Sequence, residues 1–377
     1  MTIQRPIEIK ALSGARALPP LVLVLYHFGE GHHYQHAFWY DALVAKGYLW
    51  VEFFFILSGF ILTHVYGKQA TGEFRYLSFL RARLARLYPL HLFMLFAILG
   101  LMVLLRFLAA RGGYVSIYDQ PYHPMNTWQG FVSSLFLVQA WNILPYLTFN
   151  GASWFVSVEF LLCLLFPVYL FLARGGAIRG ALVTAAGCAA LASIALISRH
   201  GLDITFHNGI FRGIADFAIG VGLAMLYRQA IKSGVEHLPD MLFSLAQFAA
   251  VLVLAYAIYR TGWAHRPTDI YVALAMALLI FALSFDRGLV AGCLKTRPLL
   301  VLGSWSYGIY MGQTFWLQSL RYFEQRWYPQ VDPGAIWWSE PFALLAVCIV
   351  WGAVLAVFIE HPANRWLRSR GRHAASA

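Results

Sequence analysis

Apolar residues along this chain fall into long unbroken runs, without the strict alternation of half-buried strands or the single stripe of soluble helices. The runs recur at about 12–28, 48–66, 88–108, 130–147, 154–173, 180–197, 208–227, 241–259, 268–285, 299–317 and 341–359. Several approach the roughly 20 residues that an α-helix needs to cross a hydrocarbon core. Connections between them are short, and no soluble-looking insert, internal repeat or low-complexity tract interrupts the series. The pattern predicts an all-α polytopic membrane protein. A single domain is expected over residues 1–377, with spans from about 12 to 359 and a basic tail over 360–377. Arg5 and Lys10 precede the first run but no small-residue cleavage site follows it, so the N-terminus is expected to be retained.

Composition agrees, with 60% hydrophobic residues, 12% charged residues and a mean hydropathy of +0.62. Charge then sets the orientation. If the fourth run, "FVSSLFLVQAWNILPYL", dips into the bilayer and returns, 18 of the 28 lysines and arginines share one face and 7 the other. That is the positive-inside bias of cytoplasmic segments. The expectation is therefore about ten transmembrane helices plus a re-entrant or interfacial segment, with both termini cytoplasmic. The net charge of +11 is then accounted for by membrane lipid and cytosol, and no nucleic-acid partner is expected. Cys163, Cys188, Cys293 and Cys348 have no metal-like or redox-like spacing and read as small core residues.

Ionisable residues inside apolar runs are costly and mark function by default. The first run, "SGARALPPLVLVLYHF", carries Arg16 and His27. Eleven residues apart, they would share one helix face about 16 Å apart along the axis, although Pro19 and Pro20 kink a helix or start one there. The second run starts at Glu52 and holds the small pair Ser58-Gly59 at mid-depth, where another helix or a ligand can approach. In "EFRYLSFLRARLARLYPLH", Arg83 and Arg86 share a face of an expected interfacial helix that ends at Tyr88-Pro89. Guanidinium groups so spaced can grip phosphate, or simply serve as a positive-inside loop. The fifth run opens with Trp154 at an expected outer interface and takes Glu159 more than a turn into the bilayer. His32, His33 and His36 suggest a metal site, but no carboxylate or cysteine stands at ligand spacing, so no metal is expected and a sugar contact fits them as well.

These pieces in this order resemble the acyltransferase 3 family, membrane enzymes that acylate sugars of bacterial surface polysaccharides and related acceptors. The resemblance rests on "ALSGARAL…YHF", "VEFFFILSGFIL", "FLRARLARLYP", "NGASWFVSVEF…FP", "FRGIADFAIG", "LLVLGSWSYGIYMGQ" and "EHPANRWL", from about residue 11 to 367. It implies a ten-helix core in the bacterial inner membrane. It also implies that Arg16 and His27 matter for activity and that Arg83 and Arg86 hold an acyl-coenzyme A donor. Glu159 corresponds to the family's glutamate after the tryptophan-serine motif. Two positions depart from the family: Glu52 replaces an aspartate, and Gln313 stands where a histidine is common, so an acid–base role there is unexpected. Family members often continue into an extra-cytoplasmic esterase-like domain; here transfer is expected within the membrane domain or with a separate partner.

The expected reaction is O-acylation, with acetyl-CoA as donor and a carbohydrate or lipid-linked sugar as acceptor. The donor phosphates would sit on Arg16, Arg83 and Arg86, with the thioester near His27 and the acceptor near Trp154 and Glu159. His27 can act as general base, with Glu159 or Glu52 orienting its ring, or it can carry the acyl group as an acetyl-histidine. A transporter of small acids or sugars is the rival reading; the lack of a two-fold repeat weighs against it.

Overall fold

The computed structural model describes residues 8–30, 38–67, 74–112, 125–261, 267–327 and 340–373. Fifteen α-helices follow in chain order. They are α1 (Lys10–Ala15), α2 (Leu18–Gly29), α3 (Phe38–Ala45), α4 (Trp50–Tyr66), α5 (Tyr76–Gly112), α6 (Trp128–Leu135), α7 (Trp154–Leu172) and α8 (Ala177–Ile197). Then come α9 (Gly209–Lys232), α10 (Asp240–Thr261), α11 (Ile270–Leu283), α12 (Leu289–Leu294), α13 (Arg297–Trp327), α14 (Glu340–Leu355) and α15 (His361–His373). No strand occurs among the described residues. Eight helical stretches there are long and apolar enough to cross a membrane. Pro267–Leu283 is apolar but shorter. The 31-residue α13 carries Ser304, Ser306, Tyr307, Tyr310 and Gln313 along its length.

Prolines shape the helices differently from expectation in one place. Pro19 and Pro20 begin α2, as pyrrolidine geometry favours, and leave Arg16 at the joint between α1 and α2. Pro89, expected to end an interfacial helix, instead lies inside α5, which runs on into the third span. In a bundle, neighbouring helices can satisfy the backbone groups near a proline. Here the Tyr307 hydroxyl of α13 donates to Leu87 O, two residues before the proline, at 2.7 Å. The C-terminal span likewise passes through a π-helical turn at 356–360 directly into α15.

Glycines bring backbones together where the site is built. A Cβ on Gly59 would meet Phe217 O at 2.2 Å, and one on Gly220 would meet Ile56 O at 2.0 Å, so α4 and α9 touch main chain to main chain. This is the close approach that small residues allow within a membrane. Gly14 lies equally close to Leu294 O and Gly303 to Ser13 O, which clamps α1 against α12 and α13.

Two ends of the bundle can be distinguished. At one end Ala11 N donates to Asp286 Oδ1 at 2.8 Å, and α15 packs on α5. The described start and finish of the chain thus lie together with Arg83 and Arg86. At the far end Asn142 bonds Asn208, and Arg212 reaches Tyr48 O.

The fourth run does not form a spanning helix. The eight-residue α6 is followed by irregular backbone up to Asn150. Non-helical chain at this depth needs protein partners, and it has them. Ser157 Oγ donates to Leu137 O at 2.8 Å and accepts from Ala140 N, while Trp141 Nε1 donates to Ser157 O at 3.0 Å.

Candidate active site

Five of the residues singled out by the sequence line one cavity. Arg16 comes from the α1–α2 joint, Ser58 from α4, Arg83 and Arg86 from α5, and Glu159 from α7; the atom-free space is about 690 Å³. Ser58 Oγ donates to Glu159 Oε1 at 2.5 Å, so the small pair Ser58-Gly59 divides its work. Glycine lets α9 approach, and serine holds a carboxylate. Glu159 Oε2 is buried without a hydrogen-bond partner, leaving one oxygen of that carboxylate available to a ligand. Three guanidinium groups on one wall repel one another, so an anion between them would relieve the repulsion as well as gain hydrogen bonds. Glu360, in the π-helical turn, lies in the field of Arg86 and Arg16. The sequence reading overlooked this carboxylate, which follows a long apolar run.

Aromatic rings form another part of the lining. Phe54, Phe155 and Tyr310 all face the cavity and one another, with centroids 5.6 to 6.3 Å apart. Tyr307 and Tyr310 of α13 belong to the motif "LLVLGSWSYGIYMGQ" but were not singled out within it. Tyr310 OH donates to Ala152 O at 2.8 Å, which fixes the ring between the cavity and the start of α7.

His27 is half-buried and lies outside this cavity. Its Nδ1 is 3.2 Å from Gln313 Oε1. Gln313 Nε2 donates to Tyr310 O at 3.0 Å, and a carbonyl can only accept. The amide oxygen therefore faces His27, Nδ1 must carry the proton, and Nε2 presents its lone pair. Gln313 is one turn of α13 from Tyr310, a rise of about 4.5 Å. The imidazole is thus held just beyond the aromatic end of the cavity.

Glu52 and Trp154 belong elsewhere. Glu52, expected as a possible orienting partner for His27, is fully buried in a bidentate pair with Arg212. Arg212 also donates to Ile204 O and Tyr48 O. Trp154, expected at an outer interface, is buried with its ring 5.6 Å from the Arg212 guanidinium. Burying that charge requires partners on every side, and the indole is one of them. Lys46, counted among the loop charges, is also buried, in a pair with Asp269 at 2.8 Å. His32, His33 and His36 lie outside the described residues. Among the described residues no group of three or more histidine, cysteine, aspartate or glutamate side chains is placed to hold a metal.

Residues 9–359 match the model of a family described as an acyltransferase domain, acyltransferase 3. The chain belongs to this family. It is 27% identical to the acyltransferase MdmB of Streptomyces mycarofaciens over 99% of this chain and 96% of that protein. It is 25% identical to the putative peptidoglycan O-acetyltransferase YrhL of Bacillus subtilis over 80% of this chain, and 22% identical to the O-acetyltransferase OatA of Staphylococcus aureus over 81%. Those matches span about half the length of YrhL and of OatA. No solved structure matches. The match covers every residue named in the candidate site except Glu360, which follows it directly. It makes this protein a membrane acyltransferase and sets the transporter reading aside.

Proposed function

We propose that this acyltransferase moves an acetyl group from acetyl-CoA, taken from the cytoplasmic side of the inner membrane, to a hydroxyl of a carbohydrate or lipid-linked sugar on the other side. The observation that carries this reading is the convergence of Arg16, Arg83 and Arg86 on one cavity. That cavity's aromatic end abuts His27, whose Nδ1 is engaged by Gln313. Donor phosphates would rest on the guanidinium groups, and the thin pantetheine arm would run past Phe54, Phe155 and Tyr310 towards His27. The likeness to YrhL, a putative peptidoglycan O-acetyltransferase, and to OatA, an O-acetyltransferase, supports acetyl as the group and, through YrhL, a glycan as the acceptor.

In the proposed chemistry His27 Nε2 accepts the proton of the acceptor hydroxyl as that oxygen attacks the thioester carbonyl. The C–S bond then breaks, and the proton passes from the imidazolium to the departing thiolate, giving an ester and free coenzyme A. Gln313 holds the ring and its tautomer throughout. General-base catalysis of this kind is typically worth about 10²–10⁴-fold, and alignment of the two substrates supplies much of the remainder. Purified protein should release free thiol from acetyl-CoA, faster when a sugar acceptor is present, and the acetyl group should be found as an ester. Absence of thiol release under all such conditions would sink the proposal.

A further inference from the structure

We propose that the groove between α10 and α11 holds the lipid chain of the acceptor, a single-chain lipid phosphate that carries the sugar, with its phosphate on Arg260. The assignment rests on the acyl-transfer reading above and narrows the acceptor to a lipid-linked one. The groove's atom-free space is about 1010 Å³, larger than that of the arginine cavity. It follows from side-chain size along two helices. Val253, Ala257 and Arg260 recur on one face of α10, and Tyr271, Ala275 and Leu278 on the facing side of α11. Spacings of three and four align residues along a helix. Ala257 and Ala275 are buried and form a floor too small to fill the space between the helices. Tyr256, Tyr271 and Leu278, 64%, 60% and 46% exposed, stand as its walls. From Val253 to Arg260 the trough is about 10 Å long, at 1.5 Å per residue.

The lining decides the occupant. Apart from Arg260 and a few hydroxyls, the described lining is hydrocarbon, and Thr261 Oγ1 already donates to Ala257 O at 2.9 Å. Such a trough, open to a bilayer, takes up an apolar chain. Arg260 is exposed, and among the described lining residues no other is charged. A guanidinium without a carboxylate beside it suits phosphate, which it can hold through two parallel hydrogen bonds. Tyr256 and Tyr271 flank it, and tyrosine rings favour the membrane–water interface. Hydrocarbon and charge are thus offered at the two depths where a lipid phosphate carries its own. One trough takes one chain, which suits a single-chain carrier better than a two-chain glycerolipid.

Position makes this lipid an acceptor's. The charged end of the groove lies at the far end of the bundle, away from Arg83 and Arg86. Thr268 of its lining adjoins Asp269, which is fully buried. Asp269 accepts from Lys46 Nζ at 2.8 Å and from the Tyr48 hydroxyl. The Tyr48 ring lies 5.9 Å from that of Tyr26, and the Tyr26 ring 5.1 Å from that of His27. One continuous set of contacts therefore joins the rim of the groove to the imidazole. Helix α3 packs on both α2 and α10 and bridges the same two places.

The test titrates the full chain, purified in detergent, with farnesyl phosphate and follows binding by native mass spectrometry. Farnesol and dioleoyl phosphatidic acid are the comparison probes, and farnesyl phosphate should bind more tightly than either. Arg260→Gln should weaken it about tenfold, the scale of one lost charge-assisted hydrogen bond, and leave farnesol unchanged. Arg260→Lys should recover part of the loss. Ala275→Leu fills the floor and should weaken both farnesyl probes; Ala257→Leu is read in the same way if that variant does not fold. In membranes holding wild-type protein, farnesyl phosphate should slow incorporation of radiolabelled acetyl groups, and about tenfold more of it should be needed with Arg260→Gln. Equal binding by wild type and Arg260→Gln would overturn the assignment. Phosphatidic acid that binds as tightly as farnesyl phosphate would also overturn it and give the groove to bilayer lipid. Incorporation indifferent to farnesyl phosphate would remove the acceptor's lipid from the groove. The binding arms need no turnover, so failure of wild-type protein to release thiol from acetyl-CoA strikes instead at the acyl-transfer reading.

Discussion

On the proposed reading, a single hydrogen bond, from His27 Nδ1 to Gln313 Oε1, sets which nitrogen of the imidazole would act. Gln313 was visible in the sequence as a departure from the family's usual histidine, and its lack of a titrating proton was clear. Its role as a lock on the His27 tautomer was not, because 286 residues separate the two and only the fold brings α2 beside α13. The same limit explains why Arg16, Ser58, Arg83, Arg86 and Glu159 could be named but Tyr307 and Glu360 could not. An ionisable group well inside an apolar run stands out, whereas a tyrosine or a glutamate at the end of a run looks ordinary until its neighbours are known. Two expectations follow. His27→Ala should lower acetyl transfer by about 10²–10⁴-fold in protein that still purifies as a folded species; near-normal turnover would remove the base from the mechanism. Gln313→Leu should lower kcat by about tenfold or more while leaving acetyl-CoA affinity alone, as measured by thiol release and calorimetry. A variant that lost donor affinity in step with kcat would place Gln313 in the donor cavity instead.

At the scale of helices, Arg83, Arg86 and the third span lie on one continuous rod. Periodicity and composition placed most of the spans, but the third begins at Tyr76 and not near residue 88; Pro89 suggested a break that α5 does not have. Proline's local cost was legible in the chain; the α13 hydroxyl that meets the backbone beside it was not. Replacing Arg83 and Arg86 with glutamine should weaken coenzyme A binding by about 1.5–3 kcal/mol per guanidinium. That loss should shrink as salt is raised. Equal affinity at low salt would reduce the pair to a topology signal. The contact between α4 and α9 carries a different kind of expectation. Removing one partner of a fully buried ion pair leaves the other charge unpaired, at about 3–5 kcal/mol. Arg212→Met should therefore lower the thermal midpoint markedly, and Glu52→Leu combined with Arg212→Met should recover much of the loss. A double variant worse than the single would show that Arg212 matters through Ile204 O and Tyr48 O more than through Glu52.

Across the whole molecule, the cavity runs from Arg83 and Arg86 to Phe155 at the start of α7, and on the proposed reading the two substrates arrive at its two ends from opposite faces. In sealed vesicles of known orientation, acetyl-CoA should work only from the face bearing Arg83, and acetylated product should appear on the other. The irregular segment after α6 offers an independent check. Gln129 in α6 and Ile143 within the irregular segment are both exposed, and Gln129→Cys and Ile143→Cys should react with a membrane-impermeant thiol reagent from the same face. Labelling from opposite faces would show that the segment crosses, and the two-sided scheme would lose its outer half. The re-entrant expectation came from the distribution of basic residues, since a crossing would split them between faces, and the structure bears out that the run forms no spanning helix. The hydrogen bonds that hold it came from the serine at position 157, which nothing in the pattern distinguished from other serines.

The three guanidinium groups have a metabolic consequence on the proposed reading. They would grip the part of the donor that the reaction leaves untouched, so the spent carrier would bind nearly as tightly as the loaded one. Free coenzyme A should then compete with acetyl-CoA, with an inhibition constant close to the donor's own dissociation constant. Inhibition that was much weaker, or not competitive, would mean that recognition lies in the acetyl end. Where competition holds, turnover follows the ratio of acetylated to free coenzyme in the cytosol more closely than the amount of either. Modification of the outer surface would then rise and fall with the carbon supply inside.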